Sequence, residues 1–232
     1  MTILFSPSFL GDPNKDISRF NRQESYLKYY KQLKTELGYD KILLLDSGSD
    51  IEYLKKHDAR IVDEWGRVIK NKPAADVTIV RFHTELPRTG VWEYPYWWRC
   101  LDFLKVIIPQ GVTKLIHIDT DCYVLSPRLM KYVRELDSGW TAFWSAKYDF
   151  PEAGFWVVAE DALKSFIDFP IPYYTYYNGK EAERVLPFTN VVKSFIGDRY
   201  GEDFLPQTPE MDYYCQHQAG CPKMVYNLGK KD

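Results

Sequence analysis

Short apolar runs alternate with longer amphipathic stretches along most of this chain. Thr2 to Ser6, Lys41 to Leu45, Ala59 to Val62, Val77 to Phe82 and Lys114 to Ile118 are too short for helices. Their nearly continuous apolar character predicts strands buried on both faces. Between them, Arg22 to Leu37 carries Tyr26, Leu27, Tyr30 and Leu33 at helical spacing, and Gly38 stops it. Tyr94 to Ile107 predicts a helix with Trp97, Leu101, Leu104 and Ile108 on one face. Pro127 to Leu136 predicts another, with Ser126 as N-cap and proline at the first helical position.

The second half reads less regularly. Trp140 to Trp144 and Gly154 to Ala159 predict strands, Asp161 to Phe169 a short helix, and Pro170 to Gly179 a loop. Glu181 to Ile196 predicts a helix. Thr208-Pro209-Glu210 predicts the opening of a final helix carrying Asp212, Gln216 and His217, with a last strand at Met224 to Tyr226. Strands alternating with helices imply an α/β domain, a Rossmann-type, mostly parallel sheet covered by helices on both faces. At 232 residues, with no repeat or linker, one domain spanning 1–232 is expected.

Composition narrows the function classes. A net charge of −2 gives no electrostatic case for nucleic acid or an anionic membrane as partner. No apolar run approaches the length of a membrane span, and no signal-peptide pattern opens the chain. The four cysteines, Cys100, Cys122, Cys215 and Cys221, show no framework spacing. They read as reduced thiols, and the expected location is cytoplasmic. Aromatic residues make up 16%, which suits stacking on sugars and bases and equally suits a tyrosine-rich core.

The main chemical signal is Leu115-Ile-His-Ile-Asp119-Thr-Asp121-Cys-Tyr-Val-Leu-Ser-Pro127. A bare Asp-x-Asp is weak, but this pair stands where a buried strand emerges. In an extended segment, residues two apart share a side, with Cα atoms roughly 6.5 Å apart. Both carboxylates then converge on one hard cation. Mg²⁺ and Mn²⁺ sites often use one or two protein carboxylates and leave the remaining positions to phosphate oxygens and water. The competing structural role is a carboxylate pair capping nearby backbone amides.

The stretch from Trp98 to Leu129 resembles the donor-binding core of Asp-x-Asp glycosyltransferases with the GT-A fold. Its wording, Ile-Asp-Thr-Asp-Cys-Tyr-Val-Leu-Ser-Pro, is most similar to the glycogenin-like and capsular-sugar-transferase retaining families. Ala153-Gly-Phe-Trp-Val-Val resembles their acceptor-side strand, and Pro209-Glu-Met-Asp-Tyr-Tyr-Cys-Gln their acidic helix. The resemblance implies a nucleoside-diphosphate sugar donor, a glycan or other hydroxyl acceptor, and Mn²⁺ or Mg²⁺ as cofactor. It implies a donor-binding half at 1–125 and an acceptor half at 126–232. Asp119 and Asp121 would hold the metal and the donor diphosphate. A third ligand in such families is commonly histidine, and here either His217 or water takes that place.

Four further residues are candidates. Asp46, in the turn Asp46-Ser-Gly-Ser-Asp50, offers a carboxylate to a nucleobase or ribose, or simply forms a turn. Arg99 offers a guanidinium to phosphate or sugar, or forms a salt bridge. Glu210 and Asp212 offer a carboxylate to the acceptor hydroxyl, or complement a helix dipole. Cys215-x-His217-x-x-x-Cys221 lacks the fourth ligand of a zinc site. Two other readings remain open: a haloacid-dehalogenase-like phosphatase using Asp119 and Asp121, and a non-catalytic nucleotide-sugar-binding module.

Overall fold

The computed structural model describes residues 1–86, 94–146, 148–171, 182–200 and 211–216. In chain order the elements are β1 (Thr2–Ser8), α1 (Ser18–Gln32), α2 (Lys34–Leu37), β2 (Lys41–Asp46), α3 (Ile51–Leu54), β3 (Arg60–Asp63), β4 (Val68–Lys70) and β5 (Val77–Arg81). There follow α4 (Pro95–Ile107), β6 (Lys114–Ile118), β7 (Cys122–Val124), α5 (Pro127–Glu135), β8 (Trp140–Ser145), β9 (Phe150–Ala159), α6 (Leu163–Asp168), β10 (Asn190–Val192), β11 (Gly197–Tyr200) and β12 (Tyr213–Gln216).

One nine-stranded sheet runs β10-β8-β9-β6-β1-β2-β5-β3-β4. β1 lies parallel to both β2 and β6, and β5 lies parallel to β2 and β3. β9 is antiparallel to β6 and β8, and β4 is an antiparallel edge. Both faces are covered, which is why the central strands are mostly apolar. On one face, Leu4, Ile116 and Ile118 pack with Tyr26 and Tyr30 of α1 and Leu129 of α5. On the other, Ile3, Phe5 and Leu115 pack with Trp98, Leu101 and Leu104 of α4 and Phe166 of α6. The chain is thus a single mostly parallel α/β domain covered by helices on both faces, as its sequence pattern predicts.

From β1 the chain winds outward through β2 and then returns to place β6 on the other side of β1. Such a reversal opens a crevice at the carboxyl ends of the two strands, where ligands bind in folds of this kind. A smaller sheet, β11-β12-β7, stands beside that point, with β12 antiparallel to β7.

Two predicted helices are not helices. Of the helix predicted at Glu181 to Ile196, the described residues 182–196 hold only a short 3-10 turn at Ala182–Arg184, followed by β10. Pro187 has no N–H to continue a helix, and pairing with β8 draws the chain into the sheet instead. In the described part of the last predicted helix, residues 211–216, Asp212 leads directly into the strand β12, whose Tyr213 and Tyr214 suit a pleated, packed surface. Glu210, His217 and the strand predicted at Met224 to Tyr226 lie outside the described residues.

Candidate active site

The Asp119–Asp121 segment closes β6 as a tight turn. The Asp119 N–H donates to the Gly154 carbonyl at 2.8 Å, and the Cys122 N–H donates back to the Asp119 carbonyl at 2.9 Å. Asp119 and Asp121 therefore stand in a turn and not in an extended pleat, which corrects the expected local geometry. Three tyrosines on one face of α1 hold the turn's flanks. Tyr26 donates its hydroxyl to the Ile118 carbonyl at 3.0 Å, Tyr30 to that of Cys122 at 2.9 Å, and Tyr29 to that of Val124 at 2.5 Å. All three bonds are buried, where an unmet carbonyl is costly.

Asp119 presents its two oxygens differently. Oδ1 faces inward, where Trp97 Nε1–H donates to it at 3.3 Å and His117 Nε2 lies 3.1 Å away. His117 is fully buried, stacked on Trp156 and flanked by Phe5 and Trp97; its ring is not aligned for a regular hydrogen bond. Oδ2 faces Gly154: a Cβ at that position would lie 3.2 Å from Asp119 Oδ2 and 3.2 Å from Glu152 Oε1. Glycine there is a matter of clearance. Glu152 is buried and accepts the Gly154 N–H at 2.8 Å.

Asp119 and Asp121 keep 29% and 32% of their side-chain surface exposed. The Arg22 guanidinium approaches Asp121 Oδ2 at 3.8 Å, and its buried Nε has no hydrogen-bond partner among the described residues. Burial, and then the negative field of Asp119 and Asp121, push the Tyr96 phenol up, so it keeps its proton beside both carboxylates. Among the described residues no three ligating side chains converge. Two partly exposed hard oxygen donors at the sheet's crevice fit Mg²⁺ or Mn²⁺ shared with phosphate oxygens.

The remaining candidates are placed unevenly around this centre. Asp46 is fully buried. Its Oδ1 accepts the Ser49 N–H at 2.8 Å, and its Oδ2 accepts the hydroxyls of Ser49 at 2.7 Å and Ser8 at 3.1 Å. Burial pushes this carboxyl up to about 6 against those bonds. As it stands the group is closed off from a nucleotide and serves to fold its own loop. Arg99 lies closer to the expected role. Its Nη2 donates to Ser47 Oγ at 2.8 Å and its Nη1 to Thr84 Oγ1 at 3.3 Å, with the guanidinium over the Phe82 ring. It ties together the loops that follow β2 and β5. Those loops press closely at Gly48, where φ is 85° and a Cβ would lie 2.8 Å from the backbone at Thr84 and Glu85.

Asp212 is a structural clamp. It is fully buried, ion-paired with Arg128, bonded to the Ser126 hydroxyl, and accepts the Ile196 N–H at 2.6 Å. Burial alone would raise its carboxyl, but the bonds from Arg128, Ser126 and Ile196 hold it below the usual range. The register sets Tyr213 opposite Val124 and Cys215 opposite Cys122, so Asp212 stands at the end of β7 remote from Asp121. The same register leads the chain out of β12 on the Asp121 side.

His117, Trp97, Arg22 and Gly154 belong to this site and were not singled out from the sequence. His117 carries a signal there, since it precedes Asp119 by two positions on a strand and so shares its side. The other three are brought in from α4, α1 and β9 by tertiary packing alone.

No protein-family model matches the chain, and no curated protein matches its sequence. Solved structures do match. The chain is similar to the galactosyltransferase LgtC in complex with donor and acceptor sugar analogs, at 10% identity and a TM-score of 0.57, over 99% of this chain and 95% of that one. It is likewise similar to an active-site mutant of LgtC, at 10% identity and a TM-score of 0.56, over 98% of this chain and 95% of that one. A glycosyltransferase involved in glycosylation of the major capsid of PBCV-1 matches at 12% identity and a TM-score of 0.45, over 98% of both chains. The fold of this chain is that of the LgtC glycosyltransferase structures.

Proposed function

We propose that this chain is a metal-dependent glycosyltransferase that moves a sugar from a nucleoside-diphosphate sugar to a hydroxyl of a glycan or other acceptor. The observation that carries the reading is the Asp119–Asp121 turn, two partly exposed carboxylates at the carboxyl end of β6, beside the reversal of strand order. Mn²⁺ or Mg²⁺ would be held by Asp119 and Asp121, with His217, next in the chain after β12, as third protein ligand. When bound, the cation neutralises charge developing on the diphosphate as the sugar departs.

The chain's own groups supply the rest. Arg22 offers phosphate oxygens a fixed positive charge beside Asp121. Tyr96 offers a neutral hydroxyl to the donor sugar or its phosphates. Arg99 fixes Ser47 and Thr84 at the rim, where the nucleoside would lie. This assigns donor binding to residues 1–125 and the acceptor to 126–232. With Asp212 engaged as a clamp, Glu210 is the candidate for orienting the acceptor hydroxyl. We assign retention at the anomeric carbon on the resemblance of the segment around Asp119 and Asp121 to retaining families; in such a reaction the departing diphosphate oxygen can itself take the acceptor's proton.

The test is a panel of nucleotide sugars with Mn²⁺, read by thermal shift and by release of nucleoside diphosphate. One donor should stabilise the fold by mass action and turn over. Asp119→Asn and Asp121→Asn should each remove most turnover from a protein that still melts cooperatively. Binding without turnover would make the chain a non-catalytic module, and phosphate release from a phosphoester would make it a phosphatase. The anomeric configuration of fresh product, read by NMR, decides retention.

A further inference from the structure

Cys122 and Cys215 are 93 residues apart in sequence, yet their sulfurs lie 2.8 Å apart in the core. They face each other directly in the antiparallel register of β7 and β12. No disulfide joins Cys100, Cys122 or Cys215. Directly opposed residues of an antiparallel pair have Cα atoms about 4.5–5.5 Å apart. A disulfide spans Cα separations of about 4.4–6.8 Å, so directly opposed positions such as these fall within its reach. The sulfurs already stand inside the roughly 3.5 Å or more of ordinary non-bonded contact.

We propose that Cys122 and Cys215 are a disulfide site that closes across β7 and β12, with a low-molecular-weight disulfide as oxidant. Cys215 keeps a little exposed surface and Cys122 none, so Cys215 enters the exchange first, as the attacking thiol. Its thiolate, formed by loss of the proton to water, attacks one sulfur of the oxidant, breaks that S–S bond and releases one small thiolate. Cys122 then loses its proton to water, and its thiolate attacks the Cys215 sulfur of the mixed disulfide and expels the second small thiolate. The protein gives up two electrons and two protons, and the oxidant becomes two thiols.

Both sulfurs are buried, so closure in the folded protein is slow, and a bond once made is shielded from reductant. Cys100 lies in the other core cluster and donates to the Leu45 carbonyl at 3.3 Å, so it stays a thiol. β12 meets β7 over only three residue pairs. A covalent link at the end nearest Asp121 fixes where the chain leaves β12, whatever the Asp turn binds.

The experiment incubates the reduced full chain in glutathione buffers from fully reducing to fully oxidising, followed by acid quench, alkylation in denaturant and mass spectrometry. The expected result is two of the four cysteines protected from alkylation, with a linked tryptic pair joining residues 115–128 to 200–223. Fragmentation should place the bond at Cys215. Cys221→Ser should keep the link, and Cys215→Ser should lose it. Complete alkylation of Cys122 in the most oxidising buffer would overturn the proposal. So would a bond that survives Cys215→Ser and disappears in Cys221→Ser. The wild-type fragment map decides even if a variant folds poorly.

Discussion

His117 Nε2 lies 3.1 Å from Asp119 Oδ1, which sets a fully buried ring against a carboxylate that is partly open to solvent. The ring is held by stacking on Trp156 and by Phe5, so its Nε2 stays fixed against the carboxylate. Groups in this outer position typically change metal affinity or activity about 10–100-fold when removed. His117→Phe keeps the aromatic packing and removes the nitrogen. It should weaken Mn²⁺ binding by that order, measured by titration of the free-ion EPR signal, while the melting temperature changes little. Unchanged Mn²⁺ affinity would remove His117 from the site.

Gly154→Ala tests the other oxygen of the same carboxylate. The added methyl would meet Asp119 Oδ2 and Glu152 Oε1 at 3.2 Å each. Turnover and Mn²⁺ affinity should both fall, with the sheet intact by circular dichroism. Wild-type kinetics in this variant would show that Oδ2 has room to move aside.

Asp212→Asn separates a clamp from a catalytic base. Hydrogen bonds to charged groups contribute about 1.5–3 kcal/mol each when buried, and the partial exposure of Arg128 reduces what its pair adds. The variant should lose about 2 kcal/mol of stability in urea titrations and keep turnover per folded molecule. A fall in turnover on the order of 10²-fold at unchanged stability would return Asp212 to the role of base.

The pH dependence of stability should show two groups acting in opposition. Burial raises Asp46 to about 6, so the native state binds the proton that the unfolded chain has lost between about pH 4 and 6. This group therefore adds stability as pH falls. Burial, then Lys70 and Lys31, lower His57 to about 4, so the native state refuses a proton that the unfolded chain takes up below about 6.5. That contribution is lost as pH falls. The two residues belong to one buried chain of hydrogen bonds, from Asp46 through Ser8 and Gln23 to His57. The wild type should change little between pH 6.5 and 4 on their account. Asp46→Asn should lose stability on acidification over that interval, and His57→Gln should gain it, both read from urea midpoints.

What the sequence showed clearly was whatever local pattern decides. The buried runs at Lys41 to Leu45 and Lys114 to Ile118 became β2 and β6, and Ser126 caps α5 by accepting the Leu129 N–H. Asp119 and Asp121 were marked by their place after such a run. The misread segments depend on distant partners: β10 exists through β8, and β12 through β7. Burial also decided side-chain roles that residue type leaves open. Asp46 and Asp212 carry the right chemistry for ligand contact, but the fold turns both inward. Nothing local marks Arg22 at the start of its predicted helix; only the packing of α1 against the Asp turn brings it to Asp121.

The three phenols of α1 have a consequence for motion. With the carbonyls of Ile118, Cys122 and Val124 all bonded to tyrosine hydroxyls, the turn is suspended at three points from a fifteen-residue helix. Val124 is anchored twice, since its N–H also donates to Tyr30 Oη at 3.1 Å. Any opening of this wall must break buried bonds together, so it belongs to the slow, cooperative end of local unfolding. The Cys122 and Val124 amides should exchange their hydrogens at the rate of the central sheet. This side of the crevice is therefore the anvil, the part against which any moving segment must work.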